Sequence, residues 1–260
     1  MAIPLEKLDD IELVLKNSLR HKFQNYQPEP ASMPFHTRLL GKDRLALYSF
    51  IHSLNTNFGT SIFEPVAVSL AKKRFKSAKS QVKAGNVLSE QALFVIQQII
   101  DNLSTADSHP DKPLEIAEIR KVAQSGKRRT VKPTKVDVFL ESDKNEFFLI
   151  DIKTAKPNAG NFKEFKRTLL EWVAVILAEN PEAKIQTLIA IPYNPYEPEP
   201  YNRWTMRGML DLTHELKVAH EFWDFLGGDG AYEALLECFE RVGLEMREEI
   251  DDYFSRFRLQ

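Results

Sequence analysis

The chain is almost without cysteine. Cys238 stands alone, so no internal disulfide can form, and a reducing cytoplasm is the expected location. No apolar run approaches the ~20 residues that a membrane-spanning helix requires, so no membrane partner is expected. The opening "MAIPLEKLDDIELVLK" carries acids where a secretory leader would carry a basic patch and then an apolar stretch. Cysteine and histidine nowhere cluster, and His214 and His220 sit without thiol neighbours, which argues against a zinc site. Internal repeats, low-complexity tracts and convincing linkers are also missing. The 260 residues therefore read as one domain: mostly helical over 1–125, an α/β core over 126–230 and a carboxy-terminal helix over 231–257.

What is present is an ordinary globular composition, 43% hydrophobic and 28% charged, with a net charge of −2. That balance announces no polyanionic partner, but its distribution is uneven. "AKKRFKSAKSQVK" (71–83) has six basic residues and no acid, and "SGKRRTVKPTK" (125–135) has five and no acid. The acids collect in "AYEALLECFERVGLEMREEIDDYF" (231–254). A polyanion would be drawn to the first two stretches and repelled by the third; solvated helix and loop faces are the plainer alternative.

Periodicity assigns the elements. "KDRLALYSFIHSLN" (42–55) spaces Leu45, Tyr48 and Ile51 along one helical face. Further helices are expected over 65–75, opened by Pro65, over 89–103, capped by Ser89, and over 113–123. The strongest is 161–179, where Phe165, Leu169, Trp172, Val173 and Ile176 recur with helical period and Asn161 with Glu164 suggests a capping box. "KIQTLIAIP" (184–192) reads as a buried strand, 193–203 as a proline-rich loop, and 216–230 as a short strand, a short helix and a glycine stop. Helices, a hairpin, a helix and another strand make a mixed α/β layer structure.

The hairpin "VDVFLESDKNEFFLIDIK" (136–153) holds the chemistry. With Asp143, Lys144 and Asn145 as the turn, Glu141 pairs with Phe147, Phe139 with Leu149 and Asp137 with Asp151. Directly paired side chains share a face, with Cβ atoms about 4.5–5.5 Å apart. Two carboxylates that close on a largely apolar sheet repel one another and lose their hydration. A divalent cation would offset that cost, and Mg²⁺ takes one or two carboxylates together with water and phosphate oxygens. Lys153 lies on the face of Asp151, as metal-assisted phosphodiester hydrolysis would need. The competing reading is a surface hairpin end whose acids pair with nearby lysines. A slip of one residue in register would separate the aspartates.

The neighbourhood favours a nucleic-acid backbone. Lys127, Arg128, Arg129, Lys132 and Lys135 run into Asp137. Lys156, Asn158 and Asn161 follow Lys153, and Lys163, Lys166 and Arg167 open the next helix. Glu64 is a third acid. Ser61 could use it in a capping box, but Pro65 at the first helical position would leave Glu64 at the helix entrance, free to reach elsewhere.

Asp137 followed by Asp151-Ile152-Lys153, set in apolar strands, resembles the PD-(D/E)xK nuclease signature, with Thr134 to Val136 where a loosely kept proline would stand. Beyond that motif the chain resembles the TdeIII family of type II restriction endonucleases. The likeness is carried by "MPFHTRLLGKDRLALYSFIHSLNTNFGTSIFEPVA" (33–67), "DIKTAKPNAGNFKEFKRTLLEWVA" (151–174) and "HEFWDFLGGDGAYEALLECFERVG" (220–243). The resemblance implies a restriction-endonuclease-like core, a mixed sheet of five elements flanked by helices, and Mg²⁺-dependent cleavage of double-stranded DNA. It implies Asp137 and Asp151 as metal ligands, Lys153 as the residue that orients or activates water, and Glu64 as the acid often supplied from an amino-terminal helix. It further implies a short, GC-rich interrupted palindrome of the GGNCC type, a two-fold homodimer, and a cognate DNA methyltransferase as functional counterpart.

Base reading is less marked. Arg203 and Arg207 flank Trp204 after the proline-rich loop, Asn158 and Asn161 follow the active-site strand, and arginine is the usual reader of guanine; for each of the four, phosphate contact or solvation is the stronger reading. Phe222, Trp223 and Phe225 read as core or dimer contact rather than a base-stacking platform. The alternatives to restriction are another nuclease on the same core, acting in repair or recombination, and a DNA-binding module with an inactive site. A small-molecule hydrolase would need a pocket too narrow for duplex DNA.

Overall fold

The computed structural model describes residues 5–26, 33–202 and 206–258. Four helical segments come first: α1 Leu5–Asn25, α2 Pro34–Leu40, α3 Lys42–Phe58 and α4 Glu64–Ala71. Then follow β1 Ser77–Lys83, β2 Val87–Ser89, α5 Glu90–Thr105, α6 Lys112–Val122, β3 Arg128–Thr130, β4 Lys135–Glu141 and β5 Glu146–Ile152. The chain continues through α7 Phe162–Glu179, β6 Lys184–Ile191, β7 Leu216–Val218, α8 His220–Gly227, α9 Ala231–Glu245 and α10 Arg247–Arg258.

The centre is a five-stranded mixed sheet in the order β1-β4-β5-β6-β7. The β1-β4 and β4-β5 pairs are antiparallel, whereas β5-β6 and β6-β7 are parallel. Only a crossover can join parallel neighbours, and α7 supplies it between β5 and β6. Alternation sends Val138, Leu140, Phe148 and Ile150 into a core shared with α1, α4, α8 and α9. On the opposite side Leu149 is buried in a second core under α5, α6 and α7, with Phe139 and Phe147 packed against it. The result is an α/β/α sandwich, the expected fold class.

The hairpin register is the expected one. Glu141 pairs with Phe147, Phe139 with Leu149 and Val138 with Ile150. Asn145 adopts φ 61°, and the Ser142 N–H donates to the Glu146 carbonyl at 2.9 Å. A three-residue loop ending in a left-handed residue is a favoured hairpin closure, and asparagine tolerates that conformation.

Four expectations need correction. The sheet does not begin after residue 125, because β1 lies within the basic stretch 71–83 and forms an edge strand beside β4. The face drawn through Tyr48 and Ile51 is exposed, and α3 buries Phe50 instead. Asn161 makes no side-chain cap on α7, which is entered through a 3₁₀ turn over Ala159–Asn161. The expected single carboxy-terminal helix is two, α9 and α10. Ser89 does cap α5, its hydroxyl accepting from the Ala92 N–H at 2.9 Å.

Pro65 stands in the first turn of α4, as expected, but α4 is not a separate start. α3 runs into a π turn over Gly59–Phe63 and straight on into α4, with the Glu64 N–H bonded to the Gly59 carbonyl. Proline inside a helix deprives the carbonyl four residues back of its donor. Here that carbonyl belongs to Ser61, and the Ser18 hydroxyl of α1 donates to it at 2.7 Å. The wide turn and the borrowed donor let the helix pass through Pro65 and keep Glu64 in its interior, 2% exposed.

One glycine is required by close packing. Gly85, at φ +131° between β1 and β2, faces α7 so tightly that a Cβ would lie 2.4 Å from Val175 Cγ1.

Candidate active site

The register that pairs Val138 with Ile150 brings Asp137 opposite Asp151, one step beyond the last paired residues. The ladder gives way there to a side chain, because Asp137 Oδ2 accepts the Ile152 N–H at 2.8 Å. Asp151 is 8% exposed and lies close enough for its charge to act on Asp137. Burial, followed by the charge of Asp151, pushes the Asp137 carboxyl up to about 7. The Ile152 N–H works against that rise, and Glu64 adds to it. The hairpin thus stores uncompensated acid at one end.

Lys153 continues β5. Its N–H donates to the Ala190 carbonyl of β6 at 2.9 Å, and its ammonium lies 2.8 Å from Asp151 Oδ1. The same ammonium sits over the Phe165 ring of α7, 4.6 Å from the centroid. An ion pair and a ring face together restrict a long, flexible side chain to one region.

Glu64 enters from α4, which packs on β1 and β4. Burial raises its carboxyl above the usual range, Gln81 and Lys135 oppose the rise, and Asp151 contributes to it. Gln81 of β1 connects the acids: its Nε2 donates to Glu64 Oε1 and Oε2 at 3.0 and 2.8 Å, and it approaches Asp137 Oδ1 at 3.4 Å. The sequence reading passed over Gln81. Nothing in "SAKSQVK" marks it, because its importance comes from lying across the sheet from Asp137.

Among the described residues no three His, Cys, Asp or Glu side chains converge into a ready metal-ligating group. The donor set is an aspartate pair with Glu64 held beside it through an amide. Two adjacent carboxylates, one pushed up by burial and its neighbour's charge, suit a hard divalent cation that draws its other ligands from water and phosphate.

The flanking polar residues divide. Lys127, Arg128, Lys132 and Lys135 are exposed, and so is Arg129, which pairs with Glu90 at 2.6 Å. Lys156 is exposed and lies over the Tyr196 ring, and Asn161, Lys163 and Arg207 also face solvent. Asn158 is exposed too, but its Oδ1 accepts the Gly160 N–H within its own loop. Arg203 and Trp204 lie outside the described residues. Phe222 and Trp223 are core, with the Trp223 indole donating to the Pro192 carbonyl at 2.8 Å.

Lys166 is a correction. Expected at a DNA-facing helix start, it is fully buried, 2.6 Å from both Glu115 and Glu215. Lys112 pairs with the other oxygen of Glu215 at 2.8 Å. Closed in by these partners, Lys166 has no path to a phosphate.

A cavity of about 370 Å³ beyond β5, lined by Phe58, Phe63, Lys156 and Tyr193 among others, includes none of Glu64, Asp137, Asp151 or Lys153. A small-molecule reaction at the acids gains nothing from it.

The chain is 27% identical to the type II restriction enzyme MjaII of Methanocaldococcus jannaschii, over 98% of this chain and 76% of that protein. It is 24% identical to the type II restriction enzyme HgiBI of Herpetosiphon aurantiacus, over 90% of this chain and 88% of the relative. It is also 24% identical to HgiCII of the same organism, over 84% and 80%. Residues 7–243 match the model of a family described as type II restriction endonuclease, HinfI. That family is not the TdeIII family of the sequence resemblance; what the two have in common is the enzyme class. The chain belongs to the HinfI family of type II restriction endonucleases, and it is a site-specific endonuclease.

Proposed function

We propose that this endonuclease hydrolyses double-stranded DNA in a Mg²⁺-dependent reaction at Asp137, Asp151 and Lys153, with Glu64 as the third acid, in the manner of PD-(D/E)xK nucleases. The observation that carries the reading is the pair of buried Asp151 and half-buried Asp137, with the Lys153 ammonium 2.8 Å from Asp151, all at one end of a hairpin. Asp137 and Asp151 would hold the cation. Bound there, it would supply charge neutralisation for the scissile phosphate and lower the pKa of water. Lys153, steered by Asp151 and Phe165, presents N–H donors to the attacking water or to a phosphate oxygen. The exposed Lys127, Arg128, Lys132, Lys135, Lys156 and Lys163 would bind the DNA backbone.

The target we propose is a short GC-rich palindrome of the GGNCC type, on the strength of the TdeIII-like stretches, with Asn158, Asn161, Arg203 and Arg207 as the side chains offered to the duplex. A palindrome calls for a two-fold homodimer. Exposed apolar side chains on α2 and α3, among them Phe35 at 85% and Leu39 at 82%, suit a subunit contact. A cognate methyltransferase would protect host DNA.

The test is digestion of one sequenced phage DNA with Mg²⁺ and with chelator. Discrete Mg²⁺-dependent fragments whose ends map to one GGNCC-like sequence are expected. Intact DNA in both tubes, with folded protein and unmodified target, would reject the reading; fragments with chelator present would reject its metal dependence.

A further inference from the structure

Gln81 occupies a place in β1 that a strand residue does not ordinarily take. The β1-β4 ladder pairs Ser80 with Val138 and Val82 with Val136, so Gln81 falls opposite Asp137, yet no pair forms there. Its backbone stands at φ 55°, in the left-handed region that a residue with a Cβ enters only at a cost. A strained conformer at this position swings the side chain to the acids instead of continuing the ladder. Both its hydrogen-bonding partners, Glu64 and Asp137, are carboxylates, so the amide can present only its NH₂ to them.

The type of residue matters as much as its position. Lys79 and Lys83 lie two residues away on either side, and a lysine at 81 would neutralise Glu64 and hold it in an ion pair. The carboxamide satisfies the buried Glu64 carboxylate without cancelling its charge, which stays available to a cation. Single-point contact to both Glu64 oxygens also fixes the direction of that carboxylate.

We propose that Gln81 is a positioning residue of the cleavage site, its carboxamide fixing Glu64 beside Asp137 and so presetting the acids for the divalent cation. This rests on the metal reading given above. The strain at φ 55° is then a structural cost retained for function, since relaxing the backbone would carry the amide away from Glu64.

Three variants decide it, with Mn²⁺ binding to the DNA-free protein measured by calorimetry beside cleavage rate and melting temperature. Gln81→Gly removes the amide and relieves the backbone, so it should melt at or above the wild-type temperature. It should nonetheless bind Mn²⁺ about tenfold more weakly and raise the half-saturating Mg²⁺ for cleavage by a similar factor, while keeping most of the maximal rate. Gln81→Ala keeps the strain and should show the same metal defect. Wild-type metal binding in Gln81→Gly overturns the proposal, as does a defect present in Gln81→Ala but absent in Gln81→Gly, which would belong to the backbone. Asp151→Ala separates the two readings. If it abolishes Mn²⁺ binding while Gln81→Gly leaves it intact, only the role of Gln81 fails. If Mn²⁺ binding survives Asp151→Ala, the metal reading fails and this proposal falls with it.

Discussion

Two groups of charges, one around Lys166 of α7 and one at the hairpin end, are built on opposite plans. Under α6 and α7, Lys112 and Lys166 meet Glu115 and Glu215, two charges of each sign, with ion pairs of 2.6 to 2.8 Å. At the hairpin end Asp137 and Asp151 stand together with Glu64 held near by Gln81, and among the described residues Lys153 is the cation ion-paired there. Burial alone would raise the Glu215 carboxyl, but Lys112 and Lys166 hold it below the usual range. At Asp137 burial and Asp151 act together and push it up to about 7. In the first group each acid is met by a lysine, although burial still raises the Glu115 carboxyl. An unbalanced group is complete only with a further cation. Burial and charge are common to both, so the sign of the remainder is what separates scaffold from site.

The largest expected effect tests that distinction at the site. Asp151→Ala should lower the cleavage rate by on the order of a thousandfold or more, while the metal-free protein melts at the same temperature or higher because a repulsion is gone. Single-turnover cleavage and calorimetric melting check the two halves. Lys166→Ala should do the reverse. Leaving Glu115 and Glu215 buried without it should cost about 3–5 kcal/mol of stability, read from urea unfolding. The rate per folded molecule and the salt dependence of DNA binding should stay unchanged; a shallower salt slope would return Lys166 to the DNA surface.

The third test uses pH. The folded Asp137 carboxyl keeps its proton up to about 7, whereas the unfolded one releases it near 3.8. Between those values the native state binds more protons, so the metal-free protein should lose stability as pH rises through the window. Asp137→Asn should flatten that slope. Glu215, lowered in the fold, contributes the opposite sign: its stabilisation is present above its unfolded value and is lost as pH falls through the folded one. In cleavage assays the half-saturating Mg²⁺ concentration should rise as pH falls from 8 to 6, because the cation must displace the proton on Asp137. A flat profile would dissociate Asp137 from the metal. The smallest effect is at Phe165: removing the ring beneath Lys153 should slow cleavage about two- to tenfold with little change in metal affinity, measured by metal titration of the rate.

These two groups also mark what sequence alone could and could not show. The hairpin was legible because its turn, its alternation and its aspartates lie within eighteen consecutive residues, and local chemistry fixes their register. The balanced group was not, since Lys166 gains its partners from α6 and from the segment before β7, dozens of residues away; alone at a helix start, it reads as solvated. β1 was hidden for a different reason. An edge strand needs no alternating apolar face, and its lysines discourage further pairing, so "SAKSQVK" carries no strand signal. Gln81 inherits that invisibility. Glu64 was found through Pro65, which does lie in the first turn of α4, although the π turn that carries the chain into it was not foreseen.

That turn has a consequence of its own. An α-helix advances about 100° per residue, so a segment with one residue too many per turn shifts the phase of everything beyond it. α3 and α4 form one rod to the eye but two separate clocks to a helical wheel, one keeping time with Phe50 and the other with Glu64. Removing a single residue from Gly59–Phe63 would set both to the same hour and turn Glu64 away from the aspartates, with no catalytic side chain replaced.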